Sequence, residues 1–306
     1  MPRILVVGSI NMDVTIFTRK IPEQGETLPG SGFLLSPGGK GANQAVAAAR
    51  MGADTSFVGC VGDDVFGEQL AGVLKADGIR TEHLRRESGV STGVASITVC
   101  EGDNRIILYD GANARVDVGR LPAFGALLRE CDALLLQMEI PKETVLDAIE
   151  LAHAQGTRVF LTPAPASPLP KAAYQKAAYL LPNEKEARVL LDMPTETDED
   201  IFRALRAFRG LGVAHPLITL GERGVACIAG DEPVVRGGYR VNPVDSTAAG
   251  DTFAGAFAVA VAEGQKLLDA IDFAQRAAAI CVTRPGAQVS IPTRDEAMRA
   301  GLQRQA

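Results

Sequence analysis

Short apolar runs alternate along this chain with longer segments of helical spacing, and that alternation limits the folds open to it more than any other feature. Ile4–Val7 is followed, after an insertion, by the helical pattern of Ala42–Met51. Ser56–Gly59 leads into Gly67–Asp77, and Ala133–Met138 into Lys142–Gln155. Arg158–Leu161, Tyr179–Leu181 and Pro216–Leu220 continue the rhythm, with a helix over Glu184–Leu191 between the last two. Strand-then-helix alternation predicts an α/β fold: a doubly wound, mostly parallel sheet flanked by helices on both faces. No segment repeats at a period of roughly 20 to 50 residues, which argues against a solenoid.

Two stretches break the rhythm. Val14–Leu35 and Thr92–Asp110 lack helical periodicity. The second reads as a hairpin: Gly93–Cys100, a turn at Glu101-Gly102-Asp103-Asn104, then Arg105–Tyr109. We expect residues 14–35 and 92–110 to form a small β-sheet lid on a single domain spanning 1–306. The alternative is two long surface loops, and loops of that length are uncommon unless functional. The apolar face of such a lid suits a homodimer contact.

Composition narrows the function classes. Hydrophobic residues make up 46% and charged residues 22%, the balance of an ordinary globular protein. The net charge is −6 and no basic run is present, which argues against nucleic acid as a partner. A negative protein that binds phosphates must use local donors. Cys60, Cys100, Cys131, Cys227 and Cys281 are far apart with no C-x-x-C pair, which argues against a disulfide framework or zinc site and for a reducing compartment. His83, His153 and His215 have no metal-ligand spacing and read as surface or packing residues. The N-terminus enters a strand pattern at once, leaving no room for a signal peptide, and no apolar run reaches membrane-spanning length. The expectation is a cytoplasmic protein without membrane or nucleic-acid partners.

The most chemically suggestive segment is Ala248-Ala249-Gly250-Asp251, which runs into Thr252–Glu263, a stretch almost wholly Ala, Val, Phe and Gly. A segment apolar on every side reads as a buried helix. Small residues ahead of it leave the first-turn N–H groups unobstructed, and with the positive end of the helix dipole they form an anion site. One carboxylate, Asp251, stands among them, an arrangement suited to moving a phosphoryl group onto a hydroxyl. Asp251 acting only as a cap or dipole partner of the helix is the other reading.

Polar residues also gather where the apolar runs end, beyond which ligands sit in open α/β sheets. Asn11-Met12-Asp13 puts Asn11 and Asp13 on one face of an extended backbone, and a carboxylate takes both protons of a vicinal diol. An Asx turn fits the same residues. In Gly38-Gly39-Lys40-Gly41-Ala42-Asn43 the paired glycines allow close backbone approach to a ligand, and Asn43 projects from the helix that follows. It is neither a Walker A loop nor a dinucleotide fingerprint, and a plain glycine turn with a solvated lysine also explains it. Pro182-Asn183-Glu184-Lys185-Glu186 offers Asn183 to a phosphate or metal-bound water, and Glu186 to Mg²⁺ through waters, or simply caps a helix. Thr219-Leu220-Gly221-Glu222-Arg223-Gly224 presents glycine amides to a nucleotide, or forms a tight turn.

Together these segments resemble the ribokinase (PfkB-type) carbohydrate kinase family. The match runs collinearly through Gly8–Asp13, Gly38–Ala49, Ser91–Val94, Gly111-Ala112-Asn113, Pro182–Glu186, Thr219–Gly224, Val244–Asp251 and Thr283–Ser290. The resemblance implies ATP-dependent phosphorylation of D-ribose at its 5-hydroxyl, with Mg²⁺ on the nucleotide and K⁺ as activator. By matching position it makes Asp251 the catalytic base. Asn11, Met12, Asp13, Gly39, Lys40, Gly41, Ala42, Asn43 and Glu139 would surround the sugar, and Asn183, Thr219–Gly224, Gly250, Asp251 and Gln275 the ATP. Asp245, Thr247, Cys281, Arg284, Gly286 and Ser290 would form the K⁺ loop, mostly through backbone carbonyls.

Three departures stand out. The family's commoner Thr-Gly-Ala-Gly-Asp is here Thr247-Ala248-Ala249-Gly250-Asp251, whose extra methyl restricts the backbone. Gln275 replaces a shorter Asn or a His, and Pro285 stiffens the cation loop. The helix N-terminus is expected to lower the pKa of Asp251 and make it a weak base, yet phosphoryl transfer is largely dissociative and asks little of a base beforehand. Deoxyribose, fructose or a nucleoside are competing substrates; with aromatic residues at only 5%, a slot for a nucleobase is the less favoured. A non-catalytic sugar or nucleotide sensor on the same fold is the competing class, disfavoured by the presence of both Gly250 and Asp251.

Overall fold

The computed structural model describes residues 1–100 and 103–305; the Glu101-Gly102 part of the expected turn lies outside them. The first seven strands are β1 (Arg3–Val7), β2 (Asn11–Thr18), β3 (Gly32–Gly38), β4 (Asp54–Gly62), β5 (Arg80–Glu87), β6 (Gly93–Cys100) and β7 (Asp103–Tyr109). The rest are β8 (Ala133–Leu136), β9 (Arg158–Leu161), β10 (Tyr179–Leu180), β11 (His215–Thr219), β12 (Val225–Ala229) and β13 (Glu232–Arg236). The α-helices of the first half are α1 (Lys40–Arg50), α2 (Val65–Ala76), α3 (Phe124–Glu130) and α4 (Lys142–Gln155). Those of the second are α5 (Lys171–Lys176), α6 (Glu184–Leu191), α7 (Asp198–Leu211), α8 (Ala249–Ala262), α9 (Leu267–Cys281) and α10 (Arg294–Arg299).

Nine strands form the main sheet in the order β13-β12-β11-β10-β9-β8-β1-β4-β5. From β5 to β11 all neighbours run parallel, and β12 and β13 add an antiparallel edge. The central strands are unbroken apolar runs because both of their faces are covered. Along β1, Ile4 and Val6 enter one core and Leu5 and Val7 the other. Helices α1, α2, α8 and α9 close the first face, and α3, α4, α5 and α7 the second. Helix α8 is apolar all round because it has no solvent face. Every residue from Asp251 to Val261 is buried, against α1, α9 and the sheet.

Strands β3, β2, β6 and β7, in that order, make a separate four-stranded sheet. β2 and β3 reach beyond the expected range of 14–35, whereas β6 and β7 fall within 92–110. β2 begins at Asn11 because it pairs there with both Gly93 and Gly38, so Asn11 and Asp13 lie on this sheet rather than in a loop after β1. Large apolar side chains remain exposed on it, Phe33 at 65% and Ile107 at 75% among them. No helix among the described residues is long and apolar enough to cross a membrane.

Three helix starts also fall earlier than the spacing indicates. α2 begins at Val65 rather than Gly67. α1 begins at Lys40 rather than Ala42, directly after Gly39 at φ 89°. α8 begins at Ala249 rather than Thr252, after Ala248 in the left-handed region at φ 62°. That is the position where the family commonly carries Gly, and a β-carbon there is disfavoured by about 1–2 kcal/mol.

Candidate active site

A cleft of about 730 Å³ opens between the carboxyl ends of the parallel strands and the small sheet. It gathers residues from across the chain: Asn11 and Asp13 from β2, Gly39, Lys40 and Asn43 from the start of α1, and Glu139 after β8. Asn183, Glu186 and Thr219 line it from the β10 and β11 ends, Asp245 and Thr247 from the loop before α8, Gly250 and Asp251 from the first turn of α8, and Gly286 from the loop after α9.

Asp251 lies in the first turn of α8, 7% exposed. Its carboxylate is held by two amides of α1: Asn43 Nδ2 donates to Oδ2 (2.9 Å) and Gln44 Nε2 to Oδ1 (3.1 Å). Gln44 is in turn held by Gln137, whose Nε2 donates to Gln44 Oε1 at 2.6 Å. The carboxylate plane is therefore fixed before any substrate arrives. Burial pushes the Asp251 carboxyl above the usual carboxylate range, against the opposing pull of Lys40 and the two amides. This is the opposite of the lowering expected from the helix terminus, and a carboxylate with a raised pKa is the stronger base. Gln44 and Gln137 were not singled out from the sequence. Their only signal is their place in and beside motifs already noted.

The helix terminus itself is partly open. Ala249 N donates to Ser246 O (3.2 Å), but among the described residues the Gly250 and Asp251 amides have no protein acceptor. A β-carbon built on Gly250 meets nothing within 4 Å, so the space in front of these amides is clear. That combination can receive an anion.

On the other side of the cleft Asp13 has no hydrogen-bond partner among the described residues, and its pKa is raised to about 7. Burial is the main cause; Glu139 and Asp251 add to it and Lys40 opposes. Gly38 makes room for the Asp13 carboxylate, since a β-carbon there would lie 2.3 Å from Oδ2. Asn11 Oδ1 accepts from Asn113 Nδ2 (2.6 Å), a buried residue whose Oδ1 also takes the Ile10 N–H. Glu139 Oε2 accepts from Ser9 Oγ (2.7 Å) and from the Lys40 amide (3.1 Å), while its other oxygen lies 3.7 Å from Lys40 Nζ. Burial works against the Lys40 ammonium, but Asp251, Glu139 and Glu186 outweigh it and hold the pKa above the ordinary lysine value.

Not every expected residue reaches the cleft. Met12 points to the opposite face of β2 and is buried in the core, as strand alternation requires. Ala42 is also core, and Gly41 lies where a β-carbon would strike Gly8 at 2.7 Å. The glycine there serves helix-to-loop packing. Beyond Thr219, Leu220 is buried in the second core and Arg223 is paired with Glu184 and Asp198. Gly224 packs against the Arg236 carbonyl, whereas Gly221 and Glu222 are exposed. Gln275 is buried, its Nε2 donating to Arg236 O (2.8 Å).

The strand-to-helix segment at Asn183 forms a complete capping box. Asn183 Oδ1 accepts from Glu186 N, and Glu186 Oε2 from Asn183 N, both at 2.8 Å. Glu186 still faces the cleft, and burial raises its pKa. Asp245 ties the loop before α8 to the loop after α9: Oδ1 accepts from Thr247 N and Oγ1, and Oδ2 from Gly286 N (2.9 Å). Although burial opposes it, these bonds hold the Asp245 carboxyl below its ordinary range, so it stays ionised. Cys281 and Ser290 lie behind this loop, 3.0 Å apart, and Arg284 pairs with Glu296.

Residues 1–294 match the model of the pfkB family carbohydrate kinases. The chain is 43% identical over 298 residues to ribokinase of Bacillus subtilis (strain 168), covering 97% of this chain and 98% of that one. It is 44% identical over 305 residues to ribokinase of Schizosaccharomyces pombe, covering 96% of each. Arabidopsis thaliana ribokinase, solved in complex with ribose and ATP, superposes with a TM-score of 0.92 at 34% identity, covering 97% of this chain and 98% of that one.

Proposed function

The chain belongs to the pfkB family of carbohydrate kinases, and we propose that it transfers the terminal phosphoryl group of ATP to the 5-hydroxyl of D-ribose. The observation that carries this reading is the pairing, in one cleft, of the unpartnered Gly250 and Asp251 amides with the Asp251 carboxylate. The amides receive the charge of the travelling phosphoryl group, and the carboxylate accepts a hydrogen bond from the sugar hydroxyl and aligns its oxygen on phosphorus. As the new P–O bond forms and the bond to the departing ADP oxygen breaks, the hydroxyl proton passes to Asp251. Lys40 adds a fixed positive charge beside the same carboxylates. Asp13, Asn11 and Glu139 hold the remaining hydroxyls: the Asp13 carboxylate has no hydrogen-bond partner among the described residues, and Asn11 is already oriented by Asn113.

The residues present fit the implied cations. Glu186, a carboxylate at the cleft edge, would hold Mg²⁺ through waters, and that ion neutralises phosphate charge when bound. Asp245 is ionised and bridges the two loops, so with carbonyls of Thr247, Cys281, Arg284 and Gly286 and the neighbourhood of Ser290 it would hold K⁺. The exposed apolar face of the small sheet is in this reading the contact of a homodimer. Sedimentation of Phe33→Asp should show a shift to monomer, and an unshifted species would remove that assignment.

Coupled measurement of ADP release tests the reaction. Ribose should support the highest kcat/KM in a panel with 2-deoxyribose, fructose and adenosine, and K⁺ should raise it. Release no faster with any of these than with ATP alone would refute the kinase reading.

A further inference from the structure

Ser36 lies on β3 directly across from Asp13 in the register of β2 and β3. The two side chains share the face of the small sheet that lines the cleft, while Leu35 and Pro37 line a groove on the opposite face. Ser36 is 7% exposed, and its Oγ is buried without a hydrogen-bond partner among the described residues. A buried hydroxyl left unsatisfied is unfavourable, and native structures rarely keep one without a use. The carboxylate of Asp13, its neighbour, also has no hydrogen-bond partner among the described residues. A serine hydroxyl donates and accepts, whereas an ionised carboxylate only accepts. A ligand hydroxyl placed between them satisfies both, donating to Asp13 while accepting from Ser36.

We propose that Ser36 is a further sugar-binding residue, contacting a substrate hydroxyl that Asp13 also holds. The inference rests on the sugar-kinase reading above and adds to it a residue outside the segments that carry the family resemblance. Ser36 touches no reacting atom, so it acts on sugar affinity and on discrimination between sugars.

Ser36→Ala and the near-isosteric Ser36→Cys test this together, with kcat and KM measured separately for sugar and for ATP. Both variants should raise the ribose KM about threefold to tenfold, the range of one neutral hydrogen bond, with kcat and the ATP KM within twofold. The unliganded thermal midpoint of Ser36→Ala should stay level or rise, because an unsatisfied buried hydroxyl is removed, while the stabilisation given by ribose shrinks. An unchanged ribose KM, or a fall in the unliganded midpoint with ribose stabilisation intact, overturns the proposal and makes Ser36 a packing residue. The wild-type arm keeps the two readings apart. Ribose-dependent ADP release with unaffected variants defeats the Ser36 assignment alone, whereas no sugar-dependent release in the wild type defeats both.

Discussion

Asp13 has its proton held unusually tightly, and the cause is local: a buried carboxylate beside Glu139 and Asp251, only partly relieved by Lys40. With its pKa raised to about 7, Asp13 is neutral below that pH and can then offer fewer acceptor sites to a diol. As pH rises through about 7 the carboxylate ionises and the ribose KM should fall, levelling off above about 8; Asp13→Asn should flatten that profile. A ribose KM constant from pH 6 to 8 in the wild type would contradict this account. Stability runs the other way. The native state binds this proton more tightly than the unfolded chain, whose carboxyl titrates near the ordinary 3.8. Asp13 therefore withdraws stability as pH climbs from about 4 through about 7. Sequence spacing was enough to put Asn11 and Asp13 on one face. Asn113, more than 100 residues away, could be placed beside Asn11 only by the fold.

At the scale of elements, the site depends on how closely α1 and α8 approach. Asn43 and Gln44 on α1 hold the Asp251 carboxylate on α8. The approach is permitted by Gly255, where a β-carbon would lie 2.6 Å from Ala47 Cβ and 2.7 Å from Gln44 O. Gly255→Ala must push the helices apart. It should destabilise by about 1–3 kcal/mol in denaturant titration, the usual cost of overpacking, and lower kcat as the two amide bonds lengthen. A variant with full stability and full turnover would show that the contact is dispensable. The burial of α8 was legible because no polar face appears in its sequence. Its starting point was not, because an alanine at positive φ leaves no compositional trace. The raised pKa of Asp251 was also illegible, since it comes from enclosure by distant elements rather than from the helix terminus beside it.

For the whole molecule, the alternation of apolar runs carried the layered parallel sheet, because strands covered on both faces must be apolar throughout. It could not carry the extent of the small sheet. Asn11 and Gly38 join it through pairing with strands elsewhere, not through a pattern of their own. Nor could motif spacing separate residues that face the cleft from those that build it. Met12, Gly41, Ala42 and Gly224 stand in motifs with site residues yet serve the packing behind them. What the assembled molecule achieves is to bring the α8 terminus, the α1 amides and the small sheet around one cavity. The central claim is that Asp251, fixed by Asn43 and Gln44, aligns the acceptor hydroxyl and takes its proton. The direct measurement is ribose-dependent ADP formation by Asp251→Asn against the wild type under saturating ATP. The account predicts a kcat lower by about 10²-fold or more with a small change in ribose KM, and turnover near the wild-type rate would contradict it.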